Sequence, residues 1–277
     1  MSDVTAGMIE ARKPPPGAQR RWTFARIAGW VMCALWIAIG VALVASLVRS
    51  YDPDIFWRYM PRMLEGLLVT AQLVVSSVLL GGLLALPLAL ARMSSNWLIA
   101  KLAFVYVYVF RGTPLLGQMF LMYYGAGQFV DELKAVGLWW FFRDAYNCVL
   151  LTFTLNTAAY QAEIYKTAIG SIPRGQWEAA QTLGLRSKVT FFKIIMPQAM
   201  ITALRPLGNE IILMIKGSAV ASVVTVFDLM GATKLAFSRT YDFTIYMWAA
   251  IIYLMIVETL RRVWGWLESR LTRHLVR

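Results

Sequence analysis

The sequence predicts an all-α integral membrane protein. Of its 277 residues, 59% are hydrophobic and only 15% are charged. A soluble domain of this composition would have too few charges to cover its surface. Six apolar stretches approach or exceed the roughly 20 residues that a helix needs to cross a bilayer core about 30 Å thick. Lys and Arg residues are concentrated between these stretches, which is typical of proteins oriented in a membrane.

The predicted spans differ in how much polar material they contain. The first is an uncharged stretch of 22 residues, and the second contains Gly81, Gly82 and Pro87, which we expect to bend it or to let it pack closely. The third continues past a proline at position 114, which predicts an unwound or kinked stretch there. The six predicted spans are residues 27–48, 66–91, 102–130, 146–165, 206–226 and 243–260, and the charged residues inside them are Arg111, Glu163, Glu210, Lys216 and Glu258.

The distribution of cations predicts the orientation. Eighteen Lys and Arg residues lie in segments 1–26, 92–101, 166–205 and 261–277, and eight lie in segments 49–62, 131–145 and 216–239. The positive-inside rule places the first set in the cytoplasm, so both termini are expected there. Residues 1–26 are expected to form a flexible basic tail with three consecutive prolines, and residues 266–277 a second tail. We expect the span at 27–48 to be an uncleaved anchor rather than a signal peptide.

Several classes of function are excluded by the residues that the chain lacks. The net charge of +12 flanks apolar spans, so we do not expect a nucleic-acid partner. Cys33, Cys148 and His274 are too few and too scattered for a disulfide framework or a zinc site, and no catalytic set of a nucleophile and a base is evident. The chain has no phosphate-binding loop of the G-x-x-x-x-G-K-[ST] type. Energy for any transport must therefore come from another subunit or from an ion gradient.

A half-polar insert, EAAQTLGLRSKVTFFKIIMPQ, lies between the fourth and fifth spans at residues 178–198. Its helix formers predict a short helix that ends in a left-handed cap at Gly184. Ser187 is expected to cap a second short helix that Pro197 ends. On that second helix Val189, Phe192 and Met196 form one apolar stripe. The stripe either packs against the cytoplasmic helix ends of the protein itself or docks into another protein.

This insert resembles the EAA motif of bacterial ABC importer permeases, E-A-A-x3-G-x9-I-x-L-P. Here ten residues separate Gly184 from Ile195, and methionine stands in the place of leucine before the proline. Residues 110–114, 155–164, 171–176 and 208–216 are similar to further motifs of the polar amino acid branch, in the same order. The resemblance covers roughly residues 60–265. Within the branch the chain is most similar to membrane subunits for histidine, lysine, arginine, octopine and nopaline.

The resemblance implies a type I importer fold in the bacterial inner membrane, with a five-helix core and one additional N-terminal span. It implies a second permease, identical or not, a dimer of ATPase subunits that binds ATP and Mg²⁺, and a periplasmic solute-binding protein; this chain itself would hold no cofactor or metal. The coupling loop, at about residues 170–200, would insert into a cleft of the ATPase. The implied coupling residues are Glu178, Ala179, Ala180, Gly184, Ile195 and Pro197.

Polar residues inside the spans are candidates for the solute path. On the fourth span Thr152, Asn156, Tyr160 and Glu163 fall within about 80° of arc, a face too polar for lipid. Helix packing is the alternative: Glu163 can pair with Lys166 or with Arg111, and polar groups of the fifth span can stabilise a permease–permease interface. The candidate path residues are Arg111, Thr113, Asn156, Tyr160, Glu163, Asn209, Glu210, Lys216 and Ser218.

Two classes of function follow from the sequence, and a third, an integral membrane enzyme or assembly factor, stays open although no metal cluster or set of a nucleophile and a base favours an enzyme. The first is the permease subunit of an ATP-driven importer for polar, preferentially basic, amino acids or opines. The second is a stand-alone carrier or channel driven by a gradient, for which Glu163, Glu210 and Arg111 would couple protons or ions. Such a carrier would have no need of the amphipathic insert, which favours the importer.

Overall fold

The computed structural model describes residues 23–273, and every regular element in that part of the chain is helical. His274 and most of the predicted N-terminal tail lie outside the described residues. The α-helices are α1 (Phe24–Arg49), α2 (Pro53–Arg92), α3 (Trp97–Gly112), α4 (Leu115–Phe120), α5 (Val130–Ala135), α6 (Trp139–Phe142), α7 (Ala145–Gly170), α8 (Arg174–Thr182), α9 (Ser187–Val189), α10 (Met196–Ser218), α11 (Leu229–Thr240) and α12 (Thr244–Leu271). Two π-helical turns, Leu121–Gly125 and Thr190–Ile195, follow α4 and α9, and a 3₁₀-helix, Ala219–Val224, follows α10.

The chain divides into two compact units, Met1–Tyr51 and Asp52–Arg277. The described part of the first unit is essentially α1, which matches the predicted span at 27–48 closely. Apolar side chains cover all sides of this helix, which is the pattern of a helix surrounded by lipid or by other apolar helices.

The second unit is organised around α7, which packs against α2, α3, α4 and α10. Thirteen of its residues are buried, and several of them are Thr, Asn or Gln rather than aliphatic residues. One cluster of buried apolar side chains, including Leu73, Val149 and Phe153, joins α2 to α7, and a second, including Met63 and Ile252, joins α2 to α11 and α12. The polar side chains of α7 therefore lie inside the bundle.

Among the described residues, four helical runs are long and apolar enough to cross a bilayer: α1, α2, Ser187–Val224 and α12. Helix α3 and the run Leu115–Gly125 form a fifth if the pair, bent by 105°, counts as one span. Helix α7 has the length of a span, but its polar residues make it less apolar than these five. The six predicted spans thus correspond to five apolar crossings and one enclosed, more polar helix.

Two helix boundaries differ from the sequence prediction for local reasons. Helix α2 begins thirteen residues before the predicted start at position 66 because the Asp52 carboxylate accepts hydrogen bonds from the amides of Asp54 and Ile55, and Pro53 suits a first helical turn. The fifth predicted span starts at Met196 rather than at position 206 because the second helix of the insert runs directly into it.

Small residues allow close approach where α2 crosses its neighbours. A Cβ added at Gly81 would lie 2.4 Å from the Thr157 methyl carbon of α7, which confirms the prediction of close packing there. A Cβ at Gly66 would lie 2.6 Å from the backbone oxygen of Asp228, in the turn before α11. The Asp228 side chain is enclosed; this burial raises its pKa to about 6, and a hydrogen bond from the Gly231 amide opposes that rise. The turn is therefore held rigidly against α2.

Replacing Gly66 with alanine is expected to destabilise the folded protein by about 1–3 kcal/mol, because the new methyl group meets backbone that cannot rotate away. The measurement is the thermal unfolding midpoint of the purified protein in detergent. Gly265→Ala in α12 is the matched control, since nothing lies within 4 Å of its added Cβ. Equal midpoints for the two variants would contradict the close packing of α2 on this turn.

Candidate functional site

Helix α3 stops at Gly112 and the chain turns sharply into α4, which confirms the predicted break. Thr113 and Pro114 are both extended, with ψ values of 148° and 135°. Proline cannot donate a backbone hydrogen bond and disfavours helical geometry in the residue before it. We call the segment from Phe110 to Gln118 the elbow. The elbow packs against the middle of α7. Nearby, Tyr106 of α3 donates a hydrogen bond to the Leu155 carbonyl of α7 at 2.7 Å.

The elbow brings Arg111 into a group of charges, here called the cation cluster: Arg92, Arg111, Lys166 and Glu163. Arg92 donates a hydrogen bond to Glu163, while Arg111 and Lys166 approach the same carboxylate at 3.7 and 3.5 Å. Both pairings that sequence analysis proposed for Glu163 are therefore present. Three cations share one carboxylate, so the cluster carries a net charge of about +2 and favours an anion.

Arg111 and Glu163 also line a cavity of about 210 Å³ between α7 and α10. The Arg111 guanidinium carbon lies 5.2 Å from the centre of the Tyr160 ring, a cation–π distance. The far wall comes from Thr202, Ala203 and Pro206 of α10. Three of the predicted path residues, Arg111, Tyr160 and Glu163, are thus brought together at one cavity.

Thr113 is part of the elbow and Asn156 binds to it, and neither residue lines this cavity. The Asn156 amide donates to the Phe110 carbonyl and to the Gln118 side-chain oxygen, both at 3.0 Å. The Thr113 hydroxyl donates to the Val109 carbonyl at 2.7 Å and accepts from the Gln118 amide at 2.8 Å. Sequence reasoning missed Gln118, although a polar amide four residues after a proline in a predicted span is a signal that could have identified it.

Glu210 occupies a second, separate cavity of about 250 Å³ between α2, α7, α10 and α12. The residue is 6% exposed, and its carboxylate accepts a hydrogen bond from the Thr157 hydroxyl at 3.1 Å. Gln161 extends this series of hydrogen bonds, because its amide donates to the Thr157 hydroxyl oxygen and to the Val78 carbonyl. Within residues 23–273 no cation forms an ion pair with Glu210, and its hydrogen-bond partner Thr157 comes from another helix.

The remaining path candidates on α10 do not converge on one point. Asn209 and Lys216 are exposed, and Lys216 forms no ion pair within the described part of the chain. Ser218 is fully buried and donates its hydroxyl hydrogen to the Ile215 carbonyl of its own helix at 2.8 Å. The side chains of Asn209 and Lys216 are thus on the outside of this chain, and that of Ser218 is inside.

The insert folds as two helical segments around Gly184, which has the predicted positive φ, at 67°. The amides of Gly184 and Leu185 donate to the carbonyls of Gln181 and Ala180, the double bond of a Schellman cap. Two details of the prediction are wrong. Arg186, not Ser187, holds the N-cap position and no side chain caps the helix, because Ser187 is already helical.

Pro197 does not end the second helix, which is the other error. It lies in the first turn of α10, where a missing N–H is tolerated, and the π-helical turn Thr190–Ile195 carries the helix across this point. Nine residues separate Gly184 from Ile194, so Ile194 rather than Ile195 keeps the spacing of the EAA motif, and Met196 is the one departure within it.

The insert has an inner and an outer apolar side. Ala180 and Ile195 are buried, and Ile195 packs with Ile169, Ile172 and Ala199 at the end of α7. Leu183 and Phe192 are 75% and 58% exposed, and Glu178, Ala179 and Pro197 are exposed as well. One side therefore anchors the insert to the protein, and the other is exposed in this chain.

Residues 77–273 match the family described as the binding-protein-dependent transport system inner membrane component. The chain belongs to this family. Among its relatives, the nopaline transport system permease protein NocM of Agrobacterium fabrum is 40% identical, over 78% of this chain and 90% of that protein. The histidine/lysine/arginine/ornithine transport system permease protein HisM of Salmonella typhimurium is 38% identical, over 83% of this chain and 98% of that protein.

A solved structure of an amino acid ABC transporter with histidines is also similar to this permease. The two are 34% identical, the TM-score is 0.69, and the match covers 80% of this chain and 99% of that one. The fold expected from the EAA motif is therefore confirmed, and the chain is a multi-pass membrane transport component.

Replacing Glu163 with glutamine is expected to destabilise the permease by about 1–3 kcal/mol, because three neighbouring cations lose the carboxylate that they share. Thermal unfolding of the purified protein in detergent measures the effect. Glu258→Gln serves as the control, since Glu258 pairs with Arg261 and Arg262 at an exposed position, where ion pairs contribute little. A Glu163→Gln variant as stable as this control would mean that the cation cluster does not need its carboxylate.

Proposed function

We propose that this permease forms one half of the translocation path of an ATP-driven importer for polar amino acids or opines. Family membership and the relatives named for nopaline and for basic amino acids support this assignment. A second permease, identical or not, supplies the other half of the path. A dimer of separate ATPase subunits binds ATP and Mg²⁺, and a periplasmic binding protein delivers the solute.

One structural observation carries the proposal: the second helical segment of the insert and the membrane-crossing α10 are a single helical run, Ser187–Val224. Helix α9, the π-helical turn and α10 follow each other without an intervening loop. A helix transmits displacement along its axis because each turn is hydrogen-bonded to the next. Movement of the insert therefore reaches the α10 walls of both cavities, at Pro206 and Glu210.

The coupling residues then have separate tasks. Glu178 and Ala179 face the ATPase, together with exposed Leu183 and Phe192. Ala180, Ile195 and the Gly184 cap keep the insert rigid, and Pro197 lies in the turn that joins it to α10. When ATP binding closes the ATPase dimer, the docked insert moves as a rigid body and tilts α10, which switches the path from inward-facing to outward-facing.

The cation cluster is the part of the path best suited to a solute carboxylate. Arg111 can offer a planar pair of donors to a carboxylate, and the surplus positive charge compensates the negative charge of the solute. Glu210, which has a carboxylate and no ion pair in residues 23–273, is suited to a cationic end. Exposed Asn209 and Lys216 on α10 are expected to face the second permease or the aqueous path rather than lipid.

The orientation follows from the same mechanism. The insert must lie in the cytoplasm to meet the ATPase, so the excess of Lys and Arg in segments 166–205 and 261–277 is on the cytoplasmic side of the bacterial inner membrane. The N-terminal and C-terminal tails are then cytoplasmic as well.

Gly184→Val is expected to reduce ATP-driven uptake at least about tenfold, because a β-branched residue is strained at a φ of 67° and the Schellman cap would be distorted. Uptake of L-arginine or nopaline is measured in proteoliposomes that contain the complete complex and its binding protein. The control is Gly175→Ala in α8, which has open space around its added Cβ and no positive φ.

Normal uptake by Gly184→Val would contradict the coupling role of the insert. Uptake by the permease without any ATPase, driven by an ion gradient, would contradict the importer assignment itself.

A further inference from the structure

The elbow leaves the Phe110 backbone carbonyl without its helical partner. In an α-helix the carbonyl of residue i accepts the N–H of residue i+4. The residue four positions after Phe110 is Pro114, which has no N–H. At membrane depth there is no bulk water to replace that donor, so side chains must supply it.

Two amide side chains satisfy this carbonyl. Gln118 donates to the Phe110 oxygen at 2.9 Å from α4, and Asn156 donates to it at 3.0 Å from α7. The second hydrogen of the Asn156 amide goes to the Gln118 side-chain oxygen, also at 3.0 Å. Both hydrogens of Asn156 are therefore used within the protein, and its side chain, in a residue that is 7% exposed, has no donor left for a solute.

Gln118 also binds the elbow on the other side of Gly112. Gln118 approaches the Thr113 carbonyl at 3.1 Å and its hydroxyl at 2.8 Å. The amides thus bind residues on both sides of Gly112 and tie them to α7. Among the hydrogen bonds of the described residues, the one from Asn156 alone joins the Phe110 carbonyl directly to α7, and Gln118 joins it to α4.

The position of Arg111 depends on this arrangement. Arg111 follows Phe110 directly, and its guanidinium contacts Tyr160 and Glu163. These two residues follow Asn156 by four and seven positions, so all three lie on one face of α7. The helix face that holds the Phe110 backbone is therefore the face that receives the Arg111 side chain.

We propose that Gln118 and Asn156 are positioning residues, which hold the elbow so that the Arg111 guanidinium stays over Tyr160 and beside Glu163. Asn156 then affects the solute only through Arg111. The inference rests on the proposed function only in placing Arg111 on the solute path, and the geometric part stands without it.

The first test needs no solute. The assembled complex in native membranes is treated with phenylglyoxal, which modifies arginine, and the rate at Arg111 is followed by mass spectrometry of the peptide. Asn156→Leu and Gln118→Leu are expected to raise this rate about tenfold, the size of a typical coupling within one hydrogen-bond network. Asn156→Asp, which keeps the side-chain shape but cannot donate from its carboxylate, is expected to do the same.

Gln128→Leu is the matched control, because Gln128 is an exposed amide in the loop after α4. It should leave the rate at Arg111 unchanged. An unchanged rate in Asn156→Asp and Gln118→Leu complexes that assemble normally would overturn the positioning role.

The second test asks whether Asn156 acts through Arg111 or touches the solute itself. KM for L-arginine uptake is measured in Asn156→Asp, Arg111→Ala and the double variant. An about tenfold rise in KM for Asn156→Asp that disappears in the Arg111→Ala background supports the proposal. Rises that multiply in the double variant would show an independent contact with the solute and would overturn it. Because the modification assay uses no solute, it decides the positioning role even if L-arginine is not transported.

Discussion

A break in a membrane helix has to find hydrogen-bond partners inside the protein, and this constraint organises the centre of the permease. Pro114 removes the donor that Phe110 would have had, and the chain turns by 105° between α3 and the run that follows. The donors that replace it come from α4 and α7, so the broken span is tied to the central helix. That connection explains the Asn156 amide on α7, one of the polar groups that make this helix less apolar than the spans around it. It also places an arginine, a tyrosine and a glutamate at one cavity.

The second organising feature is the unbroken helix that joins the insert to the membrane-crossing part of α10. A loop of ordinary flexibility between the two would dissipate any movement of the insert. Here the π-helical turn Thr190–Ile195 keeps the helix intact up to Pro197, which sits where a helix tolerates proline. Buried Ile195 and Ala199 fasten the base of the insert to the end of α7, and Leu183 and Phe192 remain exposed. The insert is thus anchored on one side and exposed on the other, as its proposed coupling role requires.

The sequence predicted the features that depend on local chemistry. Hydropathy located the apolar spans, Gly184 was identified as a left-handed cap, and the proline after Thr113 predicted a break in the third span. The pairing of Glu163 with Lys166 followed from helical spacing alone. The EAA motif and the motifs around it were sufficient to predict the family, which the comparisons confirmed.

What the sequence could not predict depends on contacts between distant segments. Arg92 and Glu163 are 71 positions apart, and only the packing of α2 on α7 makes them neighbours. Asn156 looked like a solute ligand because its face of α7 is polar, but its amide hydrogens are used by residues 46 and 38 positions away. Pro197 was expected to end a helix because the rule for proline inside helices was applied to a residue that lies in a first turn. For Arg92 and Asn156 the local rules were incomplete because tertiary structure chose the partner, whereas for Pro197 the local rule was applied to the wrong position in the helix.

The most direct test of the account is to ask which side of the membrane the insert faces and what covers it there. Leu183, 75% exposed, is replaced by cysteine in a chain whose Cys33 and Cys148 are changed to serine, and a membrane-impermeant maleimide is applied to membrane vesicles. If the insert is a cytoplasmic docking element, the cysteine is labelled in inside-out vesicles that lack the ATPase subunits, is protected when those subunits are present, and is not labelled in right-side-out vesicles. Labelling from the outer side, or labelling in inside-out vesicles that the ATPase does not reduce, would contradict it.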